Sequence, residues 1–342
     1  LSAERVIVEI RKVQITGGSS YVVTLPKDWV ESHRIKKNEP LGMIVQGDGT
    51  LLVTKNIHEK PIQKTKRIDA TAINDPTYLF RLLIGTYITG FTTIEVFSKS
   101  RLPPSVGMIV RDFTQMTIGP EVVEETDNLI VLKDLLNPME MPFNNTIKRM
   151  YTIVRNMYLD VMNATESGNQ KLAEEIISRD SDVDRLHWLI SRQTNIVLKN
   201  PEMARRMEVS PTMVMNLLII SRIIERIGDH AVRWAENVRR ISGRDLDPSL
   251  LKQLKSASTM ALSIFEKSIG SYFKSDIRES HTNIEQIAKL EELCEKMNAL
   301  AMGQEAEVAI ALRYIAESVR RSGEYAGDIS ETVINYLVEE KI

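Results

Sequence analysis

Glu225 and Asp229 lie four residues apart in the run IIERIGDHAVRWAENV, residues 223–238. On an α-helix that spacing sets both carboxylates on one face, a turn apart, where like charges repel by about a few tenths of a kcal/mol unless something compensates them. Asp180 and Asp184, in RDSDVDRL, repeat the spacing on the preceding predicted helix. Two such pairs on two helices can build an oxygen-rich metal site where the helices meet. Carboxylate oxygen suits hard cations, here Mg²⁺, Ca²⁺, Mn²⁺ or oxidised iron. The competing compensator is internal. Arg222, Arg226 and Arg233 stand at salt-bridge spacings from Glu225 and Asp229, and Arg179 and Arg185 flank the other pair. A surface network of these ions accounts for the acids without metal, each pair contributing well under about 1 kcal/mol. His230 is adjacent in sequence but points about 100° around the helix, outside the cluster.

No arrangement in the chain points to an enzyme. HExxH, P-loop and GxGxxG patterns are absent, and the histidines, at 33, 58, 187, 230 and 281, form no close pair. Cys294 is the single cysteine, which excludes an internal disulfide and agrees with a cytoplasmic protein. His187, beside Trp188, reads as a packing residue. The Gly17–Gly18–Ser19–Ser20 turn lacks a following Lys-Ser/Thr and leads into a strand, so it is no phosphate-binding loop. A metal-dependent phosphohydrolase built on the acid pairs would have no evident nucleophile or general acid.

The elements that must carry these acids occupy only part of a multidomain α+β chain. Its 342 residues exceed one usual domain. No apolar run approaches the roughly 20 residues of a membrane span. The net charge of −2 hides an asymmetry: residues 1–68 carry 12 Lys/Arg against 7 Asp/Glu, the remainder 32 against 39. A basic head on an acidic body implies separate partners for the two ends. Residues 1–58 alternate as strands in VIVEIRKVQI, SYVVTL, LGMIVQ and TLLVTK, with turns at Gly17–Gly18 and Gly47–Gly49 and a short helix after Pro26. A unit this small is marginal alone and is expected to dimerise or dock. Residues 68–137 read as an α-β-α-β-β module, a connecting or partner-binding element. Residues 142–243 and 247–342 read as two tandem three-helix units, with helices near 143–165, 170–199, 211–241, 248–273, 276–301 and 304–339.

Two resemblances attach to these regions. RKVQITGGSSYVVTLPKDW resembles the AbrB/SpoVT-type, MazE-like DNA-binding domain: a basic strand, a small-residue turn, a strand ending in proline, then a short helix. That family implies a β-barrel-like domain of swapped hairpins, made by two chains and gripping duplex DNA. The family's usual Gly-Asp before the third strand is here Lys37-Asn38-Glu39-Pro40. Arg11, Lys12, Lys27, Arg34, Lys36 and Lys37 are the candidates for phosphate contacts.

The helical body resembles the PhoU family of phosphate-uptake regulators, tandem three-helix bundles with an ERIGD-x-A-x-x-x-A-E-type signature. ERIGDHAVRWAE, 225–236, carries the resemblance, and Asp180 and Asp184 fit the partner motif. In the family such acids bind multinuclear metal clusters, which implies Asp180, Asp184, Glu225 and Asp229 as ligands. The second repeat, RRSGEYAGDISE at 320–331, sets Arg320 against Glu225 and Glu324 against Asp229. Glu291 and Glu295 are its partner pair, and Glu324 with Asp328 a weaker site. The joined resemblances, a combination known chiefly from archaea, imply a cytoplasmic, homodimeric, phosphate-responsive transcriptional regulator. The alternative is an adaptor that contacts a phosphate transporter or signalling partner without touching DNA.

Overall fold

The structure, a computed structural model, describes residues 9–45, 49–55, 64–73, 75–244 and 246–341, with side chains to residue 338. The start of the first expected strand, Gly47, Asp48 and His58 lie outside them. The chain divides into two compact units, residues 1–62 and 63–342.

In the first unit, β1 (Gln14–Thr16) pairs antiparallel with β2 (Ser20–Val22) through the Gly17–Gly18 turn, both glycines at positive φ. Helix α1 (Lys27–Ser32) follows Pro26, and β3 (Gly42–Val45) pairs antiparallel with β4 (Leu51–Thr54). Asn38, in the segment that departs from the AbrB pattern, has φ +67, a left-handed conformation that asparagine tolerates better than most residues. Within one chain the expected barrel is not closed: the described residues hold two separate two-stranded sheets. The reason is visible in burial. No described side chain of this unit is buried, and Ile10, Val13, Ile15, Tyr21, Met43, Val45 and Leu51 are each more than half exposed. Two-stranded hairpins lack the second layer that an apolar face requires.

The second unit begins with a four-stranded sheet. Strands β5 (Thr65–Asp69), β6 (Thr93–Phe97), β7 (Pro120–Glu125) and β8 (Leu129–Asp134) lie in the order β5-β6-β8-β7, with β5 and β6 parallel and the other neighbours antiparallel. Helices α2 (Pro76–Ile88) and α3 (Pro104–Gln115) bury Leu79, Leu83, Val110 and Phe113 against Ile68, Val96 and Leu132. Strand β5 corrects the expected α-β-α-β-β order. Its sequence, TKRID, offers a single apolar residue, because an edge strand needs only one inward anchor here.

The first helical repeat comprises α4 (Phe143–Ser167), α5 (Gln170–Ser178), α6 (Asp180–Lys199), α7 (Pro201–Arg206) and α8 (Pro211–Ile241). The second comprises α9 (Pro248–Lys274), α10 (Ile277–Ile284), α11 (Gln286–Ala301) and α12 (Ala306–Lys341). Each is three rods with the middle rod broken once, at Arg179 and at Glu285. The first break follows tighter bonding of the backbone, Arg179 N–H to the Ile176 carbonyl and Asp182 N–H to that of Arg179. Polar caps start the rods: Ser210 accepts from the Met213 N–H at 3.0 Å and Asp247 from that of Ser249 at 2.7 Å, each followed by a proline. The Asn200-Pro201 separator proves to be a further cap, opening α7. One continuous apolar core joins both repeats. Helices α8 and α12 run antiparallel, with Arg244 reaching Glu305 and Glu307 at the start of α12 and Arg226 over the Tyr325 ring at 5.6 Å.

The sheet module is pinned to α6. Arg192, nine-tenths or more buried, donates to the Tyr87 carbonyl, to the Phe91 carbonyl at 2.9 Å and to Asp134 at 2.5 Å, and lies over the Tyr87 ring. Gln193 donates to the carbonyls of Pro138 and Met141, and Trp188 enters the module's core against Phe80. Gly119 makes room for this joint. Its φ is +105, and a Cβ there would fall 2.2 Å from Asp134. No helix among the described residues is long and apolar enough to cross a membrane.

Candidate functional site

The break at Arg179 makes Asp180 the first residue of α6, and Asp184 follows one turn later. Glu225 and Asp229 lie at the middle of α8, which packs on α6. The crossing is tight at Gly228, where a Cβ would meet Val154 at 3.4 Å, Val183 at 3.8 Å and Asp180 Oδ1 at 4.0 Å. The four acids read from the sequence are thereby gathered in one place. Glu225 is the deep member, 7% exposed, and its Oε2 has no hydrogen-bond partner. Asp180 Oδ1 is likewise buried and unpartnered. Asp229 sits at the exposed rim.

Crowding shows in their acidities. Burial, then the charge of Asp229, raises Asp180 to about 6. Burial raises Asp184 to about 6, with Asp180 and Asp229 adding to it and Arg222 opposing. Glu225 rises to about 7 through burial and Asp229, again against Arg222. Asp229 is raised too, by partial desolvation opposed by Arg222, Arg233 and Arg226. Each carboxylate thus resists ionising beside the others.

The internal compensators largely go elsewhere. Arg179 pairs with Asp160 on α4, Arg185 with Asp182 at 3.9 Å, and Arg226 stacks on Tyr325. Among the described residues, one arginine pairs with the cluster, Arg222 with Glu225 at 2.7 Å, and Asp180, Asp184 and Asp229 make no salt bridge. The four side chains offer oxygen donors only, the type that hard cations prefer, with Glu225 buried, Asp180 and Asp184 half-buried and Asp229 exposed. Among the described residues the side chains do not converge into a ready-made group of three ligands, so an ion would have to draw them in.

His230 points away from the acids, tilted on Tyr325 at 5.6 Å. His187 is a packing residue, 8% exposed, with Nδ1 3.0 Å from Ser221 Oγ.

The second repeat is filled differently. Gly323 holds the place of Gly228, and a Cβ there would meet Leu290 at 2.0 Å. Leu290 therefore stands for Val183, and Ile287 and Glu291 stand for the two aspartates, in place of the expected Glu291 and Glu295. Arg320 lies where Glu225 would be and pairs with Glu317 at 2.8 Å and with Glu324. Arg321 pairs with both as well. A guanidinium thus engages Glu324, as Arg222 engages Glu225 in the first repeat, and Asp328 makes no salt bridge among the described residues.

In the head, Arg11, Lys12, Lys27, Arg34, Lys36 and Lys37 are all exposed. Arg11 pairs with Glu9 and Lys27 loosely with Glu31 at 3.6 Å, whereas Lys12, Arg34, Lys36 and Lys37 make no salt bridge among the described residues. Lys55, outside the expected set, is tied to Glu39 and to the His33 carbonyl. Arg192 and Asp134 also escaped the sequence reading. The one available signal, an arginine amid the apolar stretch of a predicted helix, does not name its partner.

Residues 147–238, running from α4 through the signature on α8, match the family model described as PhoU domain. The chain carries a PhoU domain. It also carries, at 14–64, a match to the antidote-toxin recognition domain of the bacterial antitoxin MazE. The chain is 21% identical over 195 residues to the phosphate-specific transport system accessory protein PhoU homolog 1 of Thermotoga maritima, covering 55% of this chain and 82% of that protein. A homolog from Clostridium acetobutylicum is 24% identical over 140 residues, 40% of this chain and 62% of its own. Among solved structures, PhoU from Pseudomonas aeruginosa aligns with a TM-score of 0.53 at 15% identity, over 60% of this chain and 98% of that one. The phosphate transport system regulatory protein PhoU from Streptococcus pneumoniae gives 0.50 at 16%, over 58% and 95%. Such spans are too long for the first repeat alone, so both helical repeats share the PhoU fold.

Proposed function

We propose that this protein is a phosphate-responsive regulator of phosphate uptake that binds DNA through its head and reads phosphate status through its PhoU-like body. The observation that carries the reading is the presence, in one chain, of a MazE-type domain at 14–64 and a PhoU domain at 147–238, whose relatives are named as accessory proteins of phosphate transport. The head's exposed cations supply phosphate contacts, and its exposed apolar strands are the face that a second chain would cover in a homodimer. The carboxylate cluster, in this reading, holds one or more hard cations through Asp180, Asp184, Glu225 and Asp229. The bound ion would supply positive charge that settles four acids otherwise reluctant to ionise together.

A gel shift with the protein's own upstream DNA tests the head. Binding should weaken steeply with salt and weaken further in an Arg11→Ala/Lys12→Ala variant. Affinity that is undetectable at low salt, or indifferent to that variant, would leave the adaptor reading, which the relatives' naming as transport accessory proteins favours. Elemental analysis of native protein beside an Asp180→Ala/Glu225→Ala variant tests the cation; equally little metal in both would sink it. Genome-wide occupancy under phosphate plenty and starvation tests the targets and the signal.

A further inference from the structure

We propose that the outer edge of β5 is a docking site for an extended acidic segment of a partner protein, which joins the sheet as a further strand. Among the described residues no strand pairs with that edge, although β5 keeps an unbroken register with β6 along its whole length. Its even-numbered neighbours bond inward to β6: the Lys64 carbonyl accepts from the Thr93 N–H at 3.1 Å, and the Ala70 N–H donates to the Phe97 carbonyl at 2.8 Å. By the alternation of a parallel ladder, Thr65, Arg67 and Asp69 turn their backbone N–H and C=O groups outward. An added strand satisfies those groups. The opposite edge of the sheet is guarded. Strand β7 begins at Pro120, carries a bulge between Val122 and Glu124, and exposes Glu121, Glu124 and Glu125.

Beside this edge lies a groove of about 290 Å³, lined by Ile73, Tyr78, Leu82 and Thr86 as well as by β5. A helix is about 10 Å wide and neighbouring strands lie about 4.8 Å apart, so α2 overhangs the last strand of the sheet. Leu79 and Leu83 of α2 are buried in the core, whereas Tyr78, 52% exposed, and Leu82, partly buried, form the flank that faces the groove. An added strand sets alternate side chains on that flank. Charge names the occupant. Lys66 shares the groove side of β5 with buried Ile68, is exposed, and makes no salt bridge among the described residues. The carboxylates of the same region are engaged: Asp69 accepts from the Thr71 N–H at 2.9 Å, Asp75 from that of Thr77 at 2.9 Å, and Glu95 holds Arg67 at 2.9 Å on the other face. A cation on the inward side of an edge strand turns away a neutral apolar strand and accepts one that brings a carboxylate. The segment that fits therefore alternates acidic with apolar residues.

The probe is a fluorescein-labelled octapeptide alternating glutamate and valine, titrated with the full chain and followed by fluorescence anisotropy. We expect saturable binding that weakens as salt rises, falls about fivefold or more in Lys66→Glu, and is restored in that variant by the matching lysine–valine octapeptide. Thr65→Pro tests the backbone. Proline at the first position of an edge strand spares the ladder and removes one outward N–H, so binding should fall about fivefold or more while circular dichroism and thermal unfolding stay as in the wild type. Absence of saturable binding to the wild-type chain, or binding unchanged in either variant, overturns the proposal. A mass that rises with protein concentration in the wild type and not in Lys66→Glu would assign the edge to a second copy of this chain and overturn the partner form.

Discussion

Asp180 separates the two accounts of the acid cluster. If ion pairs had compensated it, removing its charge would cost stability; instead it is half-buried, unpartnered and raised to about 6. We expect Asp180→Asn to stabilise the metal-free protein at pH 8 by about 1 kcal/mol, measured by urea unfolding, while reducing any stabilisation by added Mn²⁺. A loss of stability without metal would restore the ion-pair account. His187 offers a pH test of opposite sign. Burial, with Arg222 adding to it, depresses His187 to about 4 from an ordinary 6.5. Its neutral packing therefore contributes stability above pH 6.5 that is lost as pH falls from 6.5 through 4, by about 3 kcal/mol in all. The carboxylates around Glu225 titrate the other way, so the comparison is with His187→Gln across pH 7.5 to 4, where the wild-type decline should exceed the variant's. Parallel curves would show that His187 protonates as easily folded as unfolded.

At the scale of elements, two glycines at equivalent positions should respond oppositely. Gly228→Ala places its Cβ in ordinary contact and gains helix propensity, up to about 1 kcal/mol. Gly323→Ala drives into buried Leu290 and should cost about 1–3 kcal/mol. Thermal unfolding of both variants checks the pair, and equal shifts would contradict the inter-helix spacing. At the joint, Arg192→Met strands Asp134 in the interior and should cost about 3–5 kcal/mol, much of it recovered in Arg192→Met/Asp134→Leu. A double-mutant cycle without coupling would remove the pin. These elements also show where sequence stops speaking. Helix starts were legible because Asp75-Pro76, Ser210-Pro211 and Asp247-Pro248 act locally, and the acids grouped because helical spacing is local too. The breaks at Arg179 and Glu285, the strand at 65–69 and the choice of Asp160 over Asp180 by Arg179 depend on neighbours distant in the chain. Spacing names the arginines within reach of an acid; the rotation of each helix selects among them.

At the scale of the molecule, the two units differ in how they meet their needs. Residues 63–342 contain two large cores, whereas the described part of residues 1–62 buries no side chain. Calorimetry should therefore resolve two transitions, with only the head's rising as protein concentration is increased over about a hundredfold range. A single transition, or one independent of concentration, would count against a head completed by a second chain. Within the larger unit, the two helical repeats meet side by side along α8 and α12 and share one core. One has an undercompensated seat beside Gly228, and the other has Arg320 fixed in the equivalent place. The two repeats thus set different charges at equivalent places on one shared core. If the first repeat alone takes up a cation, as proposed, the pair of long helices is loaded on one side only, a response that heat or crowding, acting on both repeats alike, would not reproduce.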